Sequence, residues 1–309
     1  MRVLVRTKDM TRQKWLECRR KGIGGSDVSI LAGINPHKSV YELWKEKTGQ
    51  AEVSEAQSEF AHFGTVLEPV VKAEFTRRTG LKVRAKNAIL QSTEYPFMLA
   101  DLDGVVNDNG ELCIFEAKTA SEFTAKEWEK GVPFKYILQV QHYMAVTDYK
   151  KAYVAAIVGG NKFFCYEIYR DEELIKYIIS LEKKFWEENV LGMKEPEADG
   201  SDATTAYLNR EYAESNGNSI QLPDEALSCF TRYDELSKQI DELTTAKEAV
   251  CNQLKSFLKE NETGYIEDRK ISWKQIQTTK FDRKRLEKEQ PDLYREYTNK
   301  GSYRKLSVA

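Results

Sequence analysis

Histidine, paired cysteine and long apolar runs are scarce in this sequence of 309 residues. The five cysteines stand singly and there are only three histidines, which argues against a zinc finger, an iron–sulfur cluster or a disulfide framework. No apolar run reaches the ~18 residues of a transmembrane helix, and the N-terminus lacks a signal peptide's apolar segment, so we expect a cytoplasmic protein without membrane contact. Any bound metal should be a hard, oxygen-ligated ion, Mg²⁺ or Mn²⁺.

A basic excess is also missing, because 47 lysines and arginines face 49 acidic residues and the net charge is −2. Proteins that bind nucleic acid often carry such an excess. Binding of that kind would depend on local basic segments, and charge alone is more typical of a solvated face. The segments are Arg12–Lys14, Arg19–Lys21, Arg77–Arg78, Lys82–Lys86 and Lys280–Lys288.

The chain is long enough for one large domain with an appendage, and 41% hydrophobic residues suffice for a core. We predict a first domain over residues 1–200. Proline, glycine and small polar residues accumulate after it and predict a linker over 201–223. A C-terminal extension over 224–309 follows.

Apolar spacing and capping residues predict the helices. The first is a short helix over 27–32 with Ser26 as its N-cap. The others cover 39–49, 63–78, 134–147, 171–190, 224–261 and 291–299. In the helix over 224–261, apolar residues alternate spacings of three and four, as in a short coiled coil. They are Tyr233, Leu236, Ile240, Leu243, Val250, Leu254 and Phe257.

Runs with strand character lie between these helices. They cover 81–90, 97–106, 111–119, 151–158, 162–169, 264–266, 270–276 and 303–308, and the polar segment 51–59 reads as a loop. A turn at Asn107–Gly110 makes the second and third strands antiparallel neighbours. The element order predicts a mixed α/β (α+β) fold, with a central mixed sheet flanked by helices and a C-terminal extension of a long helix with small strands.

Four residues of the first domain belong together chemically. Side chains alternate along a strand, so Glu116 and Lys118 point to one face while Cys113, Phe115 and Ala117 point to the other. The antiparallel neighbour can bring Asp103 beside Glu116.

Two carboxylates this close need a cation between them, and a divalent metal satisfies that need. The carbonyl of Ala117 can complete the ligand set, and Glu68 of the preceding helix can hold a second metal or a metal-bound water. Lys118 then stabilises charge at the reacting centre.

Each of these residues also has a simpler interpretation. Glu-x-Lys on a strand is often only a same-face ion pair. Glu68 follows Thr65 by three residues and fits a capping box. Asp101 shares a strand face with Asp103 and can take its place as a ligand. The order of helix glutamate, strand Asp-Gly and strand Glu-x-Lys favours the catalytic interpretation.

The following helix carries polar residues on a face that can meet this cluster. Gln139 and Tyr143 are spaced i, i+4 and share that face. They can orient Lys118 or touch a phosphate, although a polar edge of a half-buried helix explains them as well.

These residues resemble the phage-type YqaJ/lambda exonuclease family of the PD-(D/E)xK nuclease superfamily, whose restriction-endonuclease-like core the resemblance implies. The matching segments span residues 10–170. They are Gly22–Asp27, Tyr41–Trp44, Gly64–Glu68, Leu102–Gly104, Phe115–Lys118 and Gln139–Tyr143.

The resemblance implies a Mg²⁺-dependent exonuclease that degrades linear duplex DNA from the 5′ end. It also implies a single-strand annealing protein as partner and a ring-shaped oligomer. Metal ligands would be Asp103, Glu116, Ala117 and Glu68, and catalytic residues Lys118, Glu116, Asp103, Glu68 and Gln139. Residues contacting DNA or its 5′-phosphate would be Arg20, Ser26, Gln141 and Tyr143, with Arg19 as an alternative to Arg20.

Two other functions remain open at this point. An endonuclease can use the same core, and a recombination scaffold can bind DNA without cutting it. An intact charged cluster argues against the scaffold, because buried paired charges without a function destabilise the fold. The extension is either a packing appendage, an oligomerisation arm or a contact for the annealing protein.

Overall fold

The computed structural model describes residues 1–51, 58–299 and 301–308. The chain forms two compact units, Met1–Glu211 and Tyr212–Ala309. Most of the loop predicted over 51–59 lies outside the described residues. No helix among those described combines the length and apolar character that a membrane crossing requires.

The first unit contains eight of the α-helices in the described ranges. They are α1 (Arg12–Arg20), α2 (Gly25–Leu31), α3 (Val40–Lys47), α4 (Glu59–Thr79), α5 (Ala125–Lys130), α6 (Phe134–Thr147), α7 (Glu172–Lys184) and α8 (Asp202–Glu211). A π-helix, Phe185–Leu191, continues α7. The segment predicted as a linker over 201–223 therefore contains a helix in its first half.

The strands of this unit form two sheets. They are β1 (Arg2–Arg6), β2 (Ile23–Gly24), β3 (Val83–Arg84), β4 (Ala88–Gln91), β5 (Met98–Asp101), β6 (Gly104–Asp108), β7 (Glu111–Ala120), β8 (Lys151–Val158) and β9 (Lys162–Tyr169). The orders are β1-β4-β5-β2 and β3-β6-β7-β8-β9. In the larger sheet β7 pairs antiparallel with β6 and parallel with β8, so this sheet is mixed as predicted.

Two strands predicted as continuous are each divided between the sheets. The segment 81–90 becomes β3 and β4, and the segment 97–106 becomes β5 and β6. Between β5 and β6 the chain leaves the ladder at Leu102 and Asp103, and Asp103 instead accepts a hydrogen bond from the N–H of Ala117. The carboxylate of Asp103 is thus held at the break between the two sheets, against the backbone of β7.

Helices cover both faces of the larger sheet, as the alternation along β7 requires. Val71 and Phe75 of α4 pack against Phe115, with the two phenylalanine ring centroids 4.9 Å apart. Ile114 faces the other core, which α6 covers with Leu138. Glu116 and Lys118 lie on this α6 side, so the predicted division of β7 into two faces is confirmed.

Two helix starts differ from the sequence predictions. The N-cap of α2 is Gly24, and Asp27 closes the cap by accepting the Gly24 N–H at 2.9 Å, so Ser26 lies inside the helix. The N-cap of α4 is Ser58. Thr65 is therefore within α4, which removes the capping box as an explanation of Glu68.

The second unit begins at Tyr212 and is dominated by one helix. It contains α9 (Ala226–Leu258), a hairpin of β10 (Thr263–Ile266) and β11 (Arg269–Ser272), α10 (Arg283–Glu289) and α11 (Pro291–Glu296). The described residues of the predicted strand 303–308 have no strand structure. Without a neighbouring strand, the apolar residues in that segment have no ladder to join.

Candidate active site

Strand pairing places Asp103 beside Glu116. Gly104, the first residue of β6, is opposite Phe115 of β7. Asp103, which immediately precedes β6, therefore falls next to Glu116. The carboxylate of Asp103 is held there by the backbone N–H of Ala117, at 2.8 Å. The register and this hydrogen bond bring two acidic side chains to one edge of the sheet.

Glu116 is the best buried acidic residue of the cluster, with 2% of its surface exposed. Its Oε1 accepts from Lys118 Nζ at 2.6 Å and from Gln139 Nε2 at 2.6 Å. Its Oε2 is buried and has no hydrogen-bond partner among the described residues. A buried carboxylate oxygen with nothing to bind is costly, and it marks a place where a cation fits.

Lys118 and Gln139 complete a closed set of hydrogen bonds with that glutamate. Lys118 Nζ also donates to Gln139 Oε1 at 3.0 Å, and it lies 4.8 Å from the ring centre of Tyr136. Gln139 Nε2 donates in turn to the hydroxyl of Tyr143 at 3.0 Å. Gln139 therefore contacts Glu116 and Lys118 on the face of β7, as predicted, and Tyr143 contacts Gln139.

The acidic pKa values reflect burial and crowding. Burial, followed by the charge of Glu116, raises the pKa of Asp103 well above its usual range. Burial also raises the pKa of Glu116, against the opposing effect of Lys118. Burial alone would lower the pKa of Lys118, but its attraction to Glu116 and Asp103 outweighs this and raises it. Lys118 is thus protonated and positively charged, and the carboxylates of Asp103 and Glu116 favour the binding of a cation.

Asp101 and Glu68 are near the cluster but have other partners. Asp101 Oδ2 accepts from the indole Nε1 of Trp15 at 2.6 Å, and burial raises its pKa. Glu68 forms an ion pair with Lys72 one turn along α4. Both side chains line the same cavity as Asp103, so both remain available to it.

The cluster opens into a cavity of about 440 Å³. Its walls come from α1, the start of α2, α4, β5, β7 and α6. The lining residues that carry chemistry are Arg12, Trp15, Arg19, Ser26, Glu68, Asp101, Asp103, Glu116, Lys118, Gln139 and Tyr143. The lining therefore combines carboxylates with the arginines of α1.

The start of α2 lies close against α6 at this cavity. A Cβ on Gly25 would come within 2.6 Å of the Tyr143 ring and 2.9 Å of Gln139, so no side chain fits at this position. Arg19 donates to the hydroxyl of Ser26 at 2.8 Å and lies 3.7 Å from Asp27. Gly24, Gly25 and Ser26 thus form one wall of the cavity, together with Arg19.

Two predicted DNA-contacting residues lie away from this cavity. Arg20 donates to the carbonyl of Ala51 at 2.6 Å and lines a neighbouring cavity. Gln141 is buried between Tyr169, whose carbonyl it binds at 2.7 Å, and Asp171, whose N–H it accepts at 3.0 Å. The amide of Gln141 is therefore used within the fold, and Arg19, the alternative to Arg20, is the arginine at the cavity.

Sequence reasoning named Arg19 as a candidate but missed that Arg12 and Trp15 line the cavity beside it. Arg12, Trp15 and Arg19 are spaced i, i+3, i+7 and share one face of α1. The guanidinium of Arg19 lies 4.8 Å from the centre of the Trp15 ring, and that of Arg12 lies 5.6 Å away. This helical spacing was the signal available in the sequence.

The donor set fits a hard divalent cation. Within the described residues, no group of three or more histidine, cysteine, aspartate or glutamate side chains is close enough to form a metal site by itself. Asp103 and the unpartnered Oε2 of Glu116 nevertheless provide two oxygens at one edge. Backbone carbonyls and waters commonly complete such a site for Mg²⁺.

The strand Asp-Gly and Glu-x-Lys elements are adjacent in space, which is the arrangement expected of a PD-(D/E)xK nuclease core. Residues 14–150 match the family described as the YqaJ-like viral recombinase domain. The chain is 43% identical over 310 residues to protein YqaJ of Bacillus subtilis (strain 168), covering 99% of this chain and 97% of that one. The chain therefore belongs to the YqaJ-like viral recombinase family.

Two of the solved structures with some likeness are described as exonucleases. The alkaline exonuclease LHK-Exo of Laribacter hongkongensis has a TM-score of 0.48 and 24% identity, covering 64% of this chain and 97% of that chain. A phage-related exonuclease of Haemophilus somnus 129PT has a TM-score of 0.43 and 17% identity, covering 56% and 96%. Likeness at this level is too distant to assign an activity.

Proposed function

We propose that this protein is a Mg²⁺-dependent exonuclease that hydrolyses linear duplex DNA from its 5′ ends. The observation that carries the proposal is the buried, unpartnered Oε2 of Glu116 beside Asp103, with Lys118 fixed on the same face. Two carboxylates with raised pKa values and a nearby lysine form a site for a cation and a phosphate together.

Asp103, Glu116 and the carbonyl of Ala117 would hold the metal. The N–H of Ala117 points to Asp103, and in a strand the carbonyl of a residue leaves on the same side as its N–H. That carbonyl is therefore directed towards the same edge. A bound Mg²⁺ would lower the pKa of a coordinated water and draw charge from the phosphate. Glu68 lines the cavity and would bind a second metal or a water on the first.

Lys118 would hold the attacking water and offset the negative charge that develops on the scissile phosphate. Its ammonium is restrained by Glu116 and Gln139, so it is oriented before substrate arrives. Gln139 would position both Lys118 and Glu116, because its side-chain amide accepts from the lysine and donates to the glutamate. Tyr143 supports Gln139 from the next turn of α6.

A 5′-phosphate would bind at the wall formed by Arg19 and Ser26. The guanidinium and hydroxyl are 2.8 Å apart and line the same cavity as the carboxylates. An end-bound phosphate there would place an inner phosphodiester at the metal site, which favours an exonuclease. If this is correct, Arg19→Ala should abolish the preference for phosphorylated over hydroxyl ends, and Arg20→Ala should retain it.

The single strands left by such an enzyme suit a single-strand annealing protein, which we propose as its partner in phage-type recombination. The family to which the chain belongs is one of viral recombinases, which supports DNA as substrate. A ring-shaped homo-oligomer and action in the host cytoplasm belong to the same proposal.

One assay separates this proposal from its rivals. Linear duplex labelled at the 5′ or the 3′ end, and covalently closed circles, are incubated with Mg²⁺ or EDTA. We expect Mg²⁺-dependent release of the 5′ label from linear DNA and intact circles. Cleavage of circles would instead indicate an endonuclease. Binding without hydrolysis would indicate a scaffold.

A further inference from the structure

A second cavity, of about 850 Å³, lies beside β1, the start of α1 and the β3–β4 connection. Four cationic side chains line it, namely Arg6, Lys8, Lys14 and Lys86, and a single acid, Asp9, is among them. We call this cavity the basic groove. Four cations against one acid give this cavity a local positive excess, whereas the chain as a whole has a net charge of −2.

The cations of the basic groove are unpaired. Across residues 1–51, 58–299 and 301–308, none of these four forms an ion pair, whereas Lys47, Lys118 and Lys151 each bind a carboxylate. Like charges gathered without a counter-charge repel one another, and an anion relieves the repulsion. The groove is therefore prepared for a ligand with several negative charges.

The composition of the lining indicates how that ligand is bound. Beside the charged residues it contains small and aliphatic side chains, and no aromatic ring is among them. Single-stranded DNA is usually held by stacking of its bases on aromatic rings. A lining of separated cations without rings instead suits the phosphates of a backbone.

Helix α1 separates the basic groove from the catalytic cavity. Arg12, Trp15 and Arg19 line the catalytic side, while Thr11 and Lys14 line the groove. A helix with its side chains is about 10–12 Å across. The major groove of B-DNA is about 12 Å wide, so the two strands of one duplex can pass on either side of α1.

We propose that the basic groove binds the phosphate backbone of the uncut strand of the same duplex whose other strand enters the catalytic cavity. This inference rests on the proposed function, because it takes the catalytic cavity as the site of the cut strand. It predicts that the groove selects duplex over single-stranded DNA.

The test measures binding in EDTA, where hydrolysis does not occur. The variant is Lys8→Ala with Lys86→Ala, and the probes are a 5′-phosphorylated duplex and its single strand. Each phosphate contact contributes about 0.9 to the slope of log K against log salt, so the slope for duplex should fall by about 1.8. At ~0.1 M salt we expect duplex affinity to fall on the order of 10-fold or more, with single-strand affinity unchanged.

The matched control is Lys176→Ala with Lys183→Ala, two exposed lysines on α7 that line neither cavity. It should leave both affinities unchanged. Unchanged duplex affinity in the groove variant, equal loss on both probes, or no duplex binding by the unaltered protein would each overturn the inference. Duplex-selective loss in a protein that hydrolyses nothing would uphold the groove and reject the proposed function.

Discussion

Lysine–carboxylate pairs occur at two places on the same five-stranded sheet, around Lys118 and around Lys151, and only the first has the features of an active site. Lys118 bonds Glu116 near the break between β5 and β6. Lys151 bonds Asp108 at the other end of β6, with the hydroxyl of Tyr153 donating to the same carboxylate at 2.8 Å. Sequence alone points only to Glu116 and Lys118, which are two residues apart on one strand, whereas Asp108 and Lys151 are 43 residues apart.

The carboxylates at these two places have pKa shifts in opposite directions. Hydrogen bonds from Lys151 and Tyr153 lower the pKa of Asp108, as expected of a satisfied ion pair. Burial and a neighbouring carboxylate raise the pKa of Asp103, and Glu116 has an oxygen without a partner among the described residues. The pair of Lys151 and Asp108 stabilises the fold without a ligand, whereas the crowded carboxylates of Asp103 and Glu116 are destabilising until a cation binds. An acidic cluster that destabilises the metal-free fold is evidence of function.

The largest effect should follow from Lys118→Ala. Loss of the ammonium removes the group that offsets charge on the phosphate, so hydrolysis of linear duplex should fall at least about 10²-fold. The affinity for DNA measured in EDTA should be nearly unchanged. Lys162→Ala, an exposed lysine on β9, is the control and should retain full activity. Hydrolysis by Lys118→Ala at the rate of the control would remove Lys118 from the mechanism.

Asp103→Asn should raise the stability of the metal-free protein. Removing one of two crowded carboxylates relieves about 1.4 kcal/mol for each unit by which the fold raises the pKa of Asp103. The asparagine oxygen can still accept the N–H of Ala117. Thermal unfolding in EDTA measures the change, and a lower Tm than that of the unaltered protein would contradict it.

The gain from Asp103→Asn should depend on pH in a defined direction. Because the folded-state pKa of Asp103 is raised, its carboxyl binds a proton more tightly in the folded protein. The stability this provides is present below the unfolded pKa, about 3.9, and is lost as pH rises through the folded value. The advantage of the variant should therefore be largest at neutral pH and shrink towards pH ~4.

The smallest effect should come from Lys151→Met. It removes the partner of Asp108, so the Tm should fall by a few degrees while hydrolysis stays normal in folded protein. The lowered pKa of Asp108 contributes stability above its unfolded value, which disappears as pH falls through the folded value. The Tm difference should vanish in acid, and loss of activity without loss of stability would place Lys151 in the site.

The strand that carries Glu116 and Lys118 could be read from sequence because alternation and the Asn109-Gly110 turn are local signals. The break at Asp103 could not. Residues 97–106 read as one apolar run, and only the neighbouring strands decide that Met98–Asp101 and Gly104–Asp108 join different sheets. That tertiary choice is what places the Asp103 carboxylate beside Glu116.

The wall formed by Arg19 and Ser26 shows the same limit. The sequence predicts Ser26 as an N-cap, but the N-cap is Gly24, whose N–H donates to the Asp27 carboxylate inside the helix. Whether Arg19 or Arg20 faces the cavity depends on the rotation of α1, which the spacing of Arg12 and Trp15 encodes. Gln141 was misplaced for a related reason, because a buried glutamine that bonds backbone at both ends looks identical in sequence to one that faces a ligand.

Calorimetric titration of Mn²⁺ into metal-free protein tests the central claim most directly when Asp103→Asn and Asp108→Asn are measured beside the unaltered chain. Both substitutions remove one carboxylate next to a lysine-bearing strand. We expect the unaltered protein and Asp108→Asn to bind Mn²⁺ alike, and Asp103→Asn to lose that binding. Equal binding by Asp103→Asn and the unaltered protein would contradict the assignment of a metal site to Asp103 and Glu116.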